Sequence, residues 1–312
     1  MDVGAKVLEL RKAVTDALTP LVDADYWLLE VPHYSNIGDA LIWQGELDFL
    51  RKLSFRCKGV ASADTRSRPP VAPGDLVLFQ GGGNFGDLYP SCHNYRKRIM
   101  SLCPSGRYVV LPQTVWYGDM RACEEDARFF GGYDCTICVR DRGSYEFLCR
   151  HFRGNRIELV PDMAFCMDMR RWRMRVPAVR SPLFLLRKDG ELRLTGAQEA
   201  LANRRDVDIL DWPTHDARTW VERTRDLLRR HRALSGAAYE RFMDIVYRPY
   251  LIRRGVEIVA QRPEVVTTRL HGGVLAMLLD CGRIAFADNS YGKNRGFYET
   301  WLQNCENVEM VS

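Results

Sequence analysis

A short stretch near the carboxyl end of the chain combines Arg269, His271, Gly272 and Gly273. Residues 265–268 are typical of a buried strand, and the apolar run that follows predicts a helix from Gly272 onward. The start of a helix at a strand end favours anions, arginine matches carboxylate or phosphate, and glycines allow close approach of a ligand. Histidine can exchange a proton near neutral pH. The stretch therefore predicts an anion site with a resident acid or base. Alternatively, Arg269 and His271 could only satisfy buried carbonyl groups, which would give the same pattern.

Polar residues also follow the predicted strands of the amino-terminal half. Buried strands are predicted at 26–31, 75–79, 107–111, 135–139 and 157–160. The polar and glycine residues at their ends are Asn36, Asp39, Gly81, Gly82, Gly83, Asn84, Gln113, Arg140 and Asp162. In a parallel doubly wound sheet these ends share one edge, so we expect the side chains to line one cleft.

The second half repeats this alternation of strands and helices. Its strands are predicted at 182–187, 207–210, 265–268 and 283–287. Between them and the first half, at 166–180, strands stop, arginines cluster and prolines occur, which is typical of a joint between domains. The pattern predicts an α/β fold with two Rossmann-like domains facing a cleft, at residues 1–168 and 169–312.

The composition is that of a soluble globular protein, with 46% hydrophobic and 27% charged residues in a chain of 312. No apolar run approaches the roughly 20 residues that a membrane span needs. The first residues lack the basic and then apolar layout of a signal peptide. We therefore expect a cytoplasmic protein.

The ten cysteines are scattered through predicted core segments, which favours free buried thiols over disulfides. Cys135 and Cys138 have the spacing of a redox or zinc motif, but they lie in one predicted strand and point to opposite faces. No second pair accompanies them. We therefore expect no metal site.

The net charge is +5, and arginines cluster at 170–175 and 229–232. Either cluster could attract nucleic acid or an anionic membrane surface, or could simply be a solvated face. No nucleic-acid-binding motif is present, so we expect no nucleic acid partner. Our hypothesis is that the cluster at 170–175, with the ring of Trp172, makes peripheral contact with the inner face of the cytoplasmic membrane.

Several segments, taken in order, resemble the polysaccharide pyruvyl transferase family. They are Asn36-Ile37-Gly38-Asp39, the glycine-rich run 81–87, Val139-Arg140-Asp141 with Ser144, Pro161-Asp162, Arg269-Leu270-His271-Gly272 and the run 289–293. The resemblance extends from about residue 26 to 302. It implies a GT-B-like fold and transfer of the pyruvyl group of phosphoenolpyruvate, with no other cofactor. The product would be a cyclic pyruvate ketal on a sugar of an exopolysaccharide, capsule or cell-wall glycan.

The same resemblance implies which residues contact phosphoenolpyruvate. They are Arg140, Arg269, Leu270 and His271, with Asp39 beside them. Residues 185–235 carry no segment that resembles the family, so recognition of the saccharide acceptor, and whether it is carried on a lipid, stay open.

Ketal formation requires protonation of C3 of the donor and deprotonation of the sugar hydroxyls. His271 and Asp39 are the candidate acid and base, and their roles stay open. Asp39 could instead only cap the helix predicted at 40–53. Lys293 could neutralise the departing phosphate or be a solvated loop lysine. Two alternative functions also remain: a GT-B nucleotide-sugar glycosyltransferase, and a non-catalytic polysaccharide-assembly protein.

Overall fold

The strands form two parallel sheets. The computed structural model describes residues 1–63, 69–174, 177, 179–188, 196, 199, 203–204, 206–212, 219–288 and 292–311. In this part of the chain, the first sheet contains β1 (Tyr26–Leu29), β2 (Cys57–Ala61), β3 (Leu76–Phe79), β4 (Gly82–Gly86), β5 (Arg107–Trp116), β6 (Asp134–Val139) and β7 (Arg156–Leu159). The second contains β8 (Leu183–Leu185), β9 (Asp208–Leu210), β10 (Glu264–Thr267), β11 (Arg283–Ala287) and β12 (Val308–Val311).

The two sheets share one pattern of strand order. The first has the order β2-β1-β3-β5-β6-β7, with β4 paired to β5, and the second has β12-β11-β10-β8-β9. In each sheet, the chain passes from its first strand (β1 or β8) to a neighbour on one side (β2 or β9). It then crosses back to the strand on the other side (β3 or β10). The loops after β1 and β3, and those after β8 and β10, therefore diverge, which leaves a crevice at the carboxyl ends of the strands. The predicted α/β class is confirmed, whereas the GT-B-like arrangement and the domains 1–168 and 169–312 stay predictions.

Helices connect the strands. They are α1 (Val3–Leu18), α2 (Ile37–Leu50), α3 (Pro90–Leu102), α4 (Met120–Phe130), α5 (Arg142–His151), α6 (Trp220–Arg230), α7 (Arg232–Phe242), α8 (Arg248–Val259), α9 (Leu270–Leu278) and α10 (Lys293–Trp301). Single turns of 3₁₀-helix occur at Thr19–Leu21, Met163–Cys166 and Met169–Arg171, and a π-helical turn at Met243–Tyr247 joins α7 to α8. Pro249 follows the π-helical turn directly, at the second residue of α8.

Helix α1 packs on the cores of both sheets. Val3, Val7 and Leu10 belong to the hydrophobic cluster that contains the second sheet. Val14 and Leu18, on the same face of the helix, belong to a cluster of the first sheet. One amphipathic helix therefore ties the two sheets together through buried apolar contacts.

The cysteines follow the predicted strand geometry. Cys135 and Cys138 lie in β6 and belong to hydrophobic clusters on different faces of the sheet. The prediction that their side chains point to opposite faces is therefore confirmed. All ten cysteines are free.

Two helices begin earlier than the sequence predicted, and a third begins at Lys293, so each start has a candidate site residue in its first turn. Helix α2 begins at Ile37 because the side chain of Asn36 caps it and accepts a hydrogen bond from the Gly38 N–H at 2.9 Å. Helix α9 begins at Leu270, and helix α10 begins at Lys293. Lys293 is thus a helix residue rather than a loop lysine.

The glycine-rich run and the strand beside it also differ from the prediction. Strand β5 does not end at Leu111 but continues through Pro112 to Trp116. Its added length pairs with Gly82–Gly86, which form the short strand β4 instead of an open loop. The pairing is irregular between Gly82 and Phe85, which leaves room for the glycine backbone to turn toward the cavity.

Some predicted segments lie outside the described residues: Arg175, positions 216–218 of the helix predicted at 216–231, and positions 289–291. Among the helices that are described, none is both long and apolar enough to cross a bilayer.

Candidate active site

A cavity of about 290 Å³ is lined by residues that follow strands of both sheets. The predicted site residues that line it are Asn36, Asp39, Gly83, Asn84, Arg140, Arg269, Leu270, His271 and Lys293. Asp39 lies on the β1 side of the first crevice and Arg269 on the β10 side of the second. The crevices that the two strand orders leave therefore contribute to the same cavity.

Arg140 follows β6 and is fully buried. Its Nε donates to Thr114 Oγ1 at 2.9 Å, and its Nη1 donates to Asp162 Oδ2 at 2.6 Å. Its Nη2 is also buried and has no hydrogen-bond partner among the described residues. A buried guanidinium nitrogen without a partner is costly, so this donor is suited to a ligand group in the cavity.

Asp162 follows β7 and links the two sides of the cavity. Its Oδ2 accepts from Arg140 and contacts His271 Nε2 at 3.2 Å, while its Oδ1 accepts from the Ala164 N–H at 2.9 Å. Burial acts to raise the pKa of Asp162, but the charges of His271 and Arg140 outweigh it and hold that pKa well below its usual range. An ionised carboxylate thus fixes one cationic group and one imidazole.

His271 lies in the first turn of α9, where its ring is buried. Because Nε2 faces the carboxylate of Asp162, that nitrogen carries the hydrogen of the neutral ring and Nδ1 is left to exchange a proton. Nδ1 faces the start of α2, where a Cβ on Gly38 would lie only 2.7 Å from it. A glycine at position 38 is therefore what lets the histidine reach the cavity wall.

Asp39 is half-buried in the first turn of α2. Its Oδ2 accepts from the Tyr34 hydroxyl at 2.9 Å and from Asn36 Nδ2 at 2.8 Å. Its Oδ1 lies on the side of Gly82, 3.8 Å from where a Cβ of that glycine would be. One oxygen is therefore occupied in positioning the carboxylate. The helix cap itself is Asn36, so Asp39 is not required for capping.

Gly83 leaves a gap between two cationic groups. A Cβ at this position would lie 3.1 Å from Lys293 Nζ and 3.2 Å from Arg140 Nη2. Lys293 is the first residue of α10, the helix that follows β11, and Arg140 lies at the end of β6. The missing side chain thus makes space for an anionic oxygen between groups supplied by the two sheets.

Buried polar side chains hold this glycine strand in place. The Gly81 N–H donates to Glu46 Oε1 at 2.8 Å, and burial raises the pKa of Glu46 well above its usual value. Gln113 accepts from the Asn84 N–H at 3.1 Å and donates to the Gln80 carbonyl at 2.7 Å. The strand is therefore preorganised rather than a free loop.

An ion pair fixes the outer part of the same strand. Arg96 is fully buried and binds Glu30 through two hydrogen bonds of 2.6 and 2.8 Å. It also donates to the carbonyl and to the side-chain oxygen of Asn84. The oxygen of Asn84 is thus engaged in structure although the residue lines the cavity.

Arg269 occupies the opposite side of the cavity. Its Nε and Nη2 bind the two oxygens of Asp211 at 2.5 and 2.9 Å, and the side chain is 15% exposed. Leu270 follows it as the first residue of α9, and the Gly272 N–H of this turn donates to the Arg269 carbonyl at 2.9 Å. The helix start and the arginine therefore provide a second place for a negative charge.

The structure differs from three expectations that were drawn from the sequence. Gln113 is fully buried beneath the glycine strand, and neither it nor Gly82 is among the residues that line the cavity. Gly272 and Gly273 do not serve ligand approach: a Cβ on them would lie 2.6 Å from Leu185 and 2.2 Å from Phe286. These two glycines instead let α9 pack closely on the second sheet.

Sequence reasoning did not assign several residues that the structure places at the site. Arg187 and Trp212 line the cavity after β8 and β9, in positions equivalent to that of Arg269 after β10. The strand-end rule that was applied to the first half would have found both. Tyr34 and Tyr89 also line the cavity, but nothing in their local pattern indicates it. Asp162 was noted only as a polar strand end, because its link to His271 is a long-range contact.

The chemistry of the lining is that of an anion site with a proton-transfer group. The lining combines the carboxylate of Asp39 with four cationic side chains, which are those of Arg140, Arg187, Arg269 and Lys293. The described residues contain no group of three or more His, Cys, Asp or Glu side chains that could hold a metal ion. Fold and site together define an α/β protein whose cavity is suited to an anionic ligand and to proton transfer.

Comparison with known sequences identifies the family. The profile of the polysaccharide pyruvyl transferase family matches residues 36–290, which is most of the chain. The chain belongs to the polysaccharide pyruvyl transferase family. This membership supports pyruvyl transfer to a polysaccharide as its general activity.

Individual relatives are more distant. EpsO of Bacillus subtilis, described as a candidate pyruvyl transferase, is 27% identical over the whole chain and 96% of its own length. Pyruvyl transferase 1 of Schizosaccharomyces pombe is 28% identical over 89% of the chain and 70% of its length. A crystal structure of an uncharacterised protein from Klebsiella pneumoniae shares the fold, with a TM-score of 0.68 at 16% identity, over 97% of this chain and 98% of the other.

Proposed function

We propose that the protein transfers the pyruvyl group of phosphoenolpyruvate to two hydroxyls of one sugar, forming a cyclic pyruvate ketal. The sugar belongs to an exopolysaccharide, capsule or cell-wall glycan. In this reaction C3 of the donor gains a proton, both sugar oxygens bond to C2, and the C2–O bond to phosphate breaks. Of the two hydroxyl protons released, one balances the proton on C3 and the other leaves with phosphate. Since the donor is a cytosolic metabolite, we place the reaction in the cytoplasm.

The observation that carries this proposal is the unpartnered Nη2 of Arg140 beside Gly83. A fully buried guanidinium held by Asp162 and Thr114 keeps one nitrogen directed at a gap the size of an anionic oxygen. Lys293 Nζ borders the same gap. The donor carries two anionic groups, and we place its phosphate here, where Lys293 would offset the charge that develops as phosphate leaves.

The carboxylate of the donor would then lie on the other side of the cavity. Arg269 and Arg187 line that side, and α9 begins there. Two anions held by groups from two sheets fix both ends of a small rigid molecule, which places C2 and C3 between them. Leu270 would provide the apolar contact for the methylene carbon.

His271 and Asp39 are the proton-transfer groups in this scheme. His271 would act through Nδ1, since Nε2 is held by Asp162, and would deliver the proton to C3. Asp39 would take the proton of the attacking hydroxyl through Oδ1, because Oδ2 is occupied by Tyr34 and Asn36. No cofactor besides the donor takes part in these steps.

Calorimetric titration with phosphoenolpyruvate and with UDP-glucose, side by side, tests the proposal. We expect the protein to bind phosphoenolpyruvate and the Arg269→Ala variant to bind it more weakly. Arg262→Ala provides a matched control, because Arg262 pairs with Asp208 away from the cavity. Binding of UDP-glucose alone would instead support a nucleotide-sugar glycosyltransferase. Binding of neither ligand would support a non-catalytic assembly protein.

A further inference from the structure

Helix α6 exposes an apolar and basic stripe to solvent. Trp220 and Leu227 are 67% and 58% exposed, although both are large apolar side chains. Arg223 and Arg230 are exposed at positions three residues after each of them, and Arg229 is exposed beside Arg230. These spacings place tryptophan, leucine and arginine on one face of the helix. Large exposed apolar side chains that share a face indicate an interaction surface.

The opposite face of α6 is fixed, so the orientation of this stripe is defined. Thr219 caps the helix and accepts a hydrogen bond from the Glu222 N–H at 3.3 Å. Glu222 is buried and accepts from the Tyr247 hydroxyl at 3.0 Å, and Arg225 donates to the same hydroxyl at 2.6 Å. Asp226 forms an ion pair with Arg225 at 3.1 Å. Glu222 therefore faces inward, whereas Asp226 is 30% exposed and paired with Arg225, so arginine is in excess on the outer face.

The other arginine cluster does not have these properties. Trp172 is only 7% exposed and belongs to the hydrophobic core, so its ring is not available to a membrane. Arg170 is engaged by two hydrogen bonds to Asp168, and Arg171 lies 3.7 Å from Asp48. The hypothesis that the ring of Trp172 takes part in a membrane contact of residues 170–175 is therefore wrong.

We propose that the α6 surface, defined as Trp220, Arg223, Leu227 and Arg230, docks on the anionic face of a lipid membrane. Charge complementarity selects this partner, since arginines here would meet anionic headgroups while the two apolar side chains enter the interface. A helix with basic and apolar residues on its outer face lies in the plane of such an interface. Attachment of this kind is weak, reversible and sensitive to salt.

The position of α6 relates the surface to the cavity. Helix α6 follows β9, and the cavity residue Trp212 lies eight residues before Trp220. The next helix, α7, contacts the cavity wall, because the Tyr239 hydroxyl donates to the His33 carbonyl at 3.2 Å beside Tyr34. Docking through α6 would therefore hold the cavity near a membrane, where a lipid-carried saccharide is available. The proposal does not depend on the identity of the donor substrate.

Flotation with vesicles of stated composition tests the proposal. The full-length protein is mixed with vesicles of phosphatidylcholine alone, or of equal parts phosphatidylcholine and phosphatidylglycerol, at low and at high salt. We expect flotation only with the anionic vesicles and only at low salt. The double variant Arg223→Gln/Arg230→Gln should bind about 30-fold more weakly, equivalent to roughly 2 kcal/mol at 1.4 kcal/mol per tenfold change. Trp220→Ser/Leu227→Gln should lose flotation at low salt while retaining both arginines.

Arg170→Gln/Arg171→Gln is the matched control, because it removes the same charge from the other cluster. It should float like the unmodified chain. Absence of flotation with anionic vesicles at low salt overturns the proposal, as does unchanged flotation of both α6 variants. If the α6 variants instead alter the molecular mass in solution, the surface joins two copies of the chain and the membrane assignment is wrong. All variants should bind phosphoenolpyruvate normally, so failure here is distinct from failure of the proposed reaction.

Discussion

Arg140 and Arg269 lie on opposite sides of one cavity, but the protein holds them in different ways. Arg140 is fully buried, and its partner Asp162 is buried with it. Arg269 and its partner Asp211 are 15% and 11% exposed, and two nitrogens of Arg269 bind both oxygens of Asp211. The first side thus combines a structural ion pair with a free donor nitrogen. On the second side, the ion pair with Asp211 positions Arg269 for a ligand.

The difference teaches that binding and stability are coupled on one side of the cavity and separable on the other. A buried charge that loses its partner destabilises a protein strongly, whereas a partly exposed pair contributes little. Substitutions on the first side should therefore affect both the fold and the ligand. Substitutions on the second side should affect the ligand more than the fold.

The largest effect is expected for Arg140→Ala. Removing the guanidinium leaves Asp162 buried without its main cationic partner, so the free energy of unfolding should fall by about 3–5 kcal/mol. Binding of phosphoenolpyruvate should be lost as well. Urea denaturation and calorimetry measure the two effects. The double variant Arg140→Ala/Asp162→Asn should regain part of the stability but none of the binding, because it removes the buried charge without restoring the donor. Full stability of the single variant would contradict the coupling.

Asp39→Asn separates chemistry from structure on the first side. The side chain of Asn36 supplies the cap of α2, so the stability should change little. Turnover should fall about 100-fold or more, since an amide cannot accept the proton of a hydroxyl. Phosphate release from phosphoenolpyruvate in the presence of the acceptor glycan measures it. Asn36→Ala serves as the control for structure and should cost about 1 kcal/mol of stability. Near-normal turnover of Asp39→Asn would remove Asp39 from the reaction.

Arg269→Ala tests the second side. The loss of charged hydrogen bonds should weaken phosphoenolpyruvate binding by about 1.5–3 kcal/mol, which is roughly 10-fold to 150-fold. The free energy of unfolding should fall by less than in Arg140→Ala, because Asp211 still accepts hydrogen bonds from the Lys188 and Trp212 N–H groups. Calorimetry and urea denaturation on the same preparation measure both quantities. A large loss of stability would show that the two arginines are held alike.

Much of the fold follows from local patterns. Hydrophobic runs located β1, β3, β6, β10 and β11 to within a few residues, because strands buried on both faces are nearly continuous in apolar residues. The strand-end rule placed Asp39 and Arg140 in one cleft, and the family resemblance added Arg269 to the same site. Glycine was the main source of error. Gly272 and Gly273 were expected to allow the close approach of a ligand, whereas they pack against Leu185 and Phe286 inside α9.

The unpredicted part of the site depends on long-range contacts. Asp162 bonds to His271 across 109 positions of the chain, and Tyr34 reaches the cavity because α2 begins early. The exposure of Trp220 and the burial of Trp172 are equally hidden from sequence, since both lie among arginines. Local patterns gave the elements and their ends, but tertiary packing decides which side chain each end presents.

The smallest expected effect concerns pH, and it compares a buried carboxylate of the first half with an exposed one of the second. Burial acts to raise the pKa of Asp126, but hydrogen bonds and charges from His93 and Lys97 lower it to about 2. A lowered folded-state pKa contributes stability that is fully present above the unfolded value of about 3.9 and is lost as the pH falls toward 2. Asp208 also has a lowered pKa, through Arg262 and Ser181, but its side chain is 45% exposed. Solvent screening should make its contribution small.

Urea denaturation between about pH 5 and pH 2.5 should therefore show a shallower pH dependence for Asp126→Asn than for the unmodified chain. Asp208→Asn should leave the dependence unchanged, and equal effects of the two substitutions would mean that burial does not distinguish the two halves.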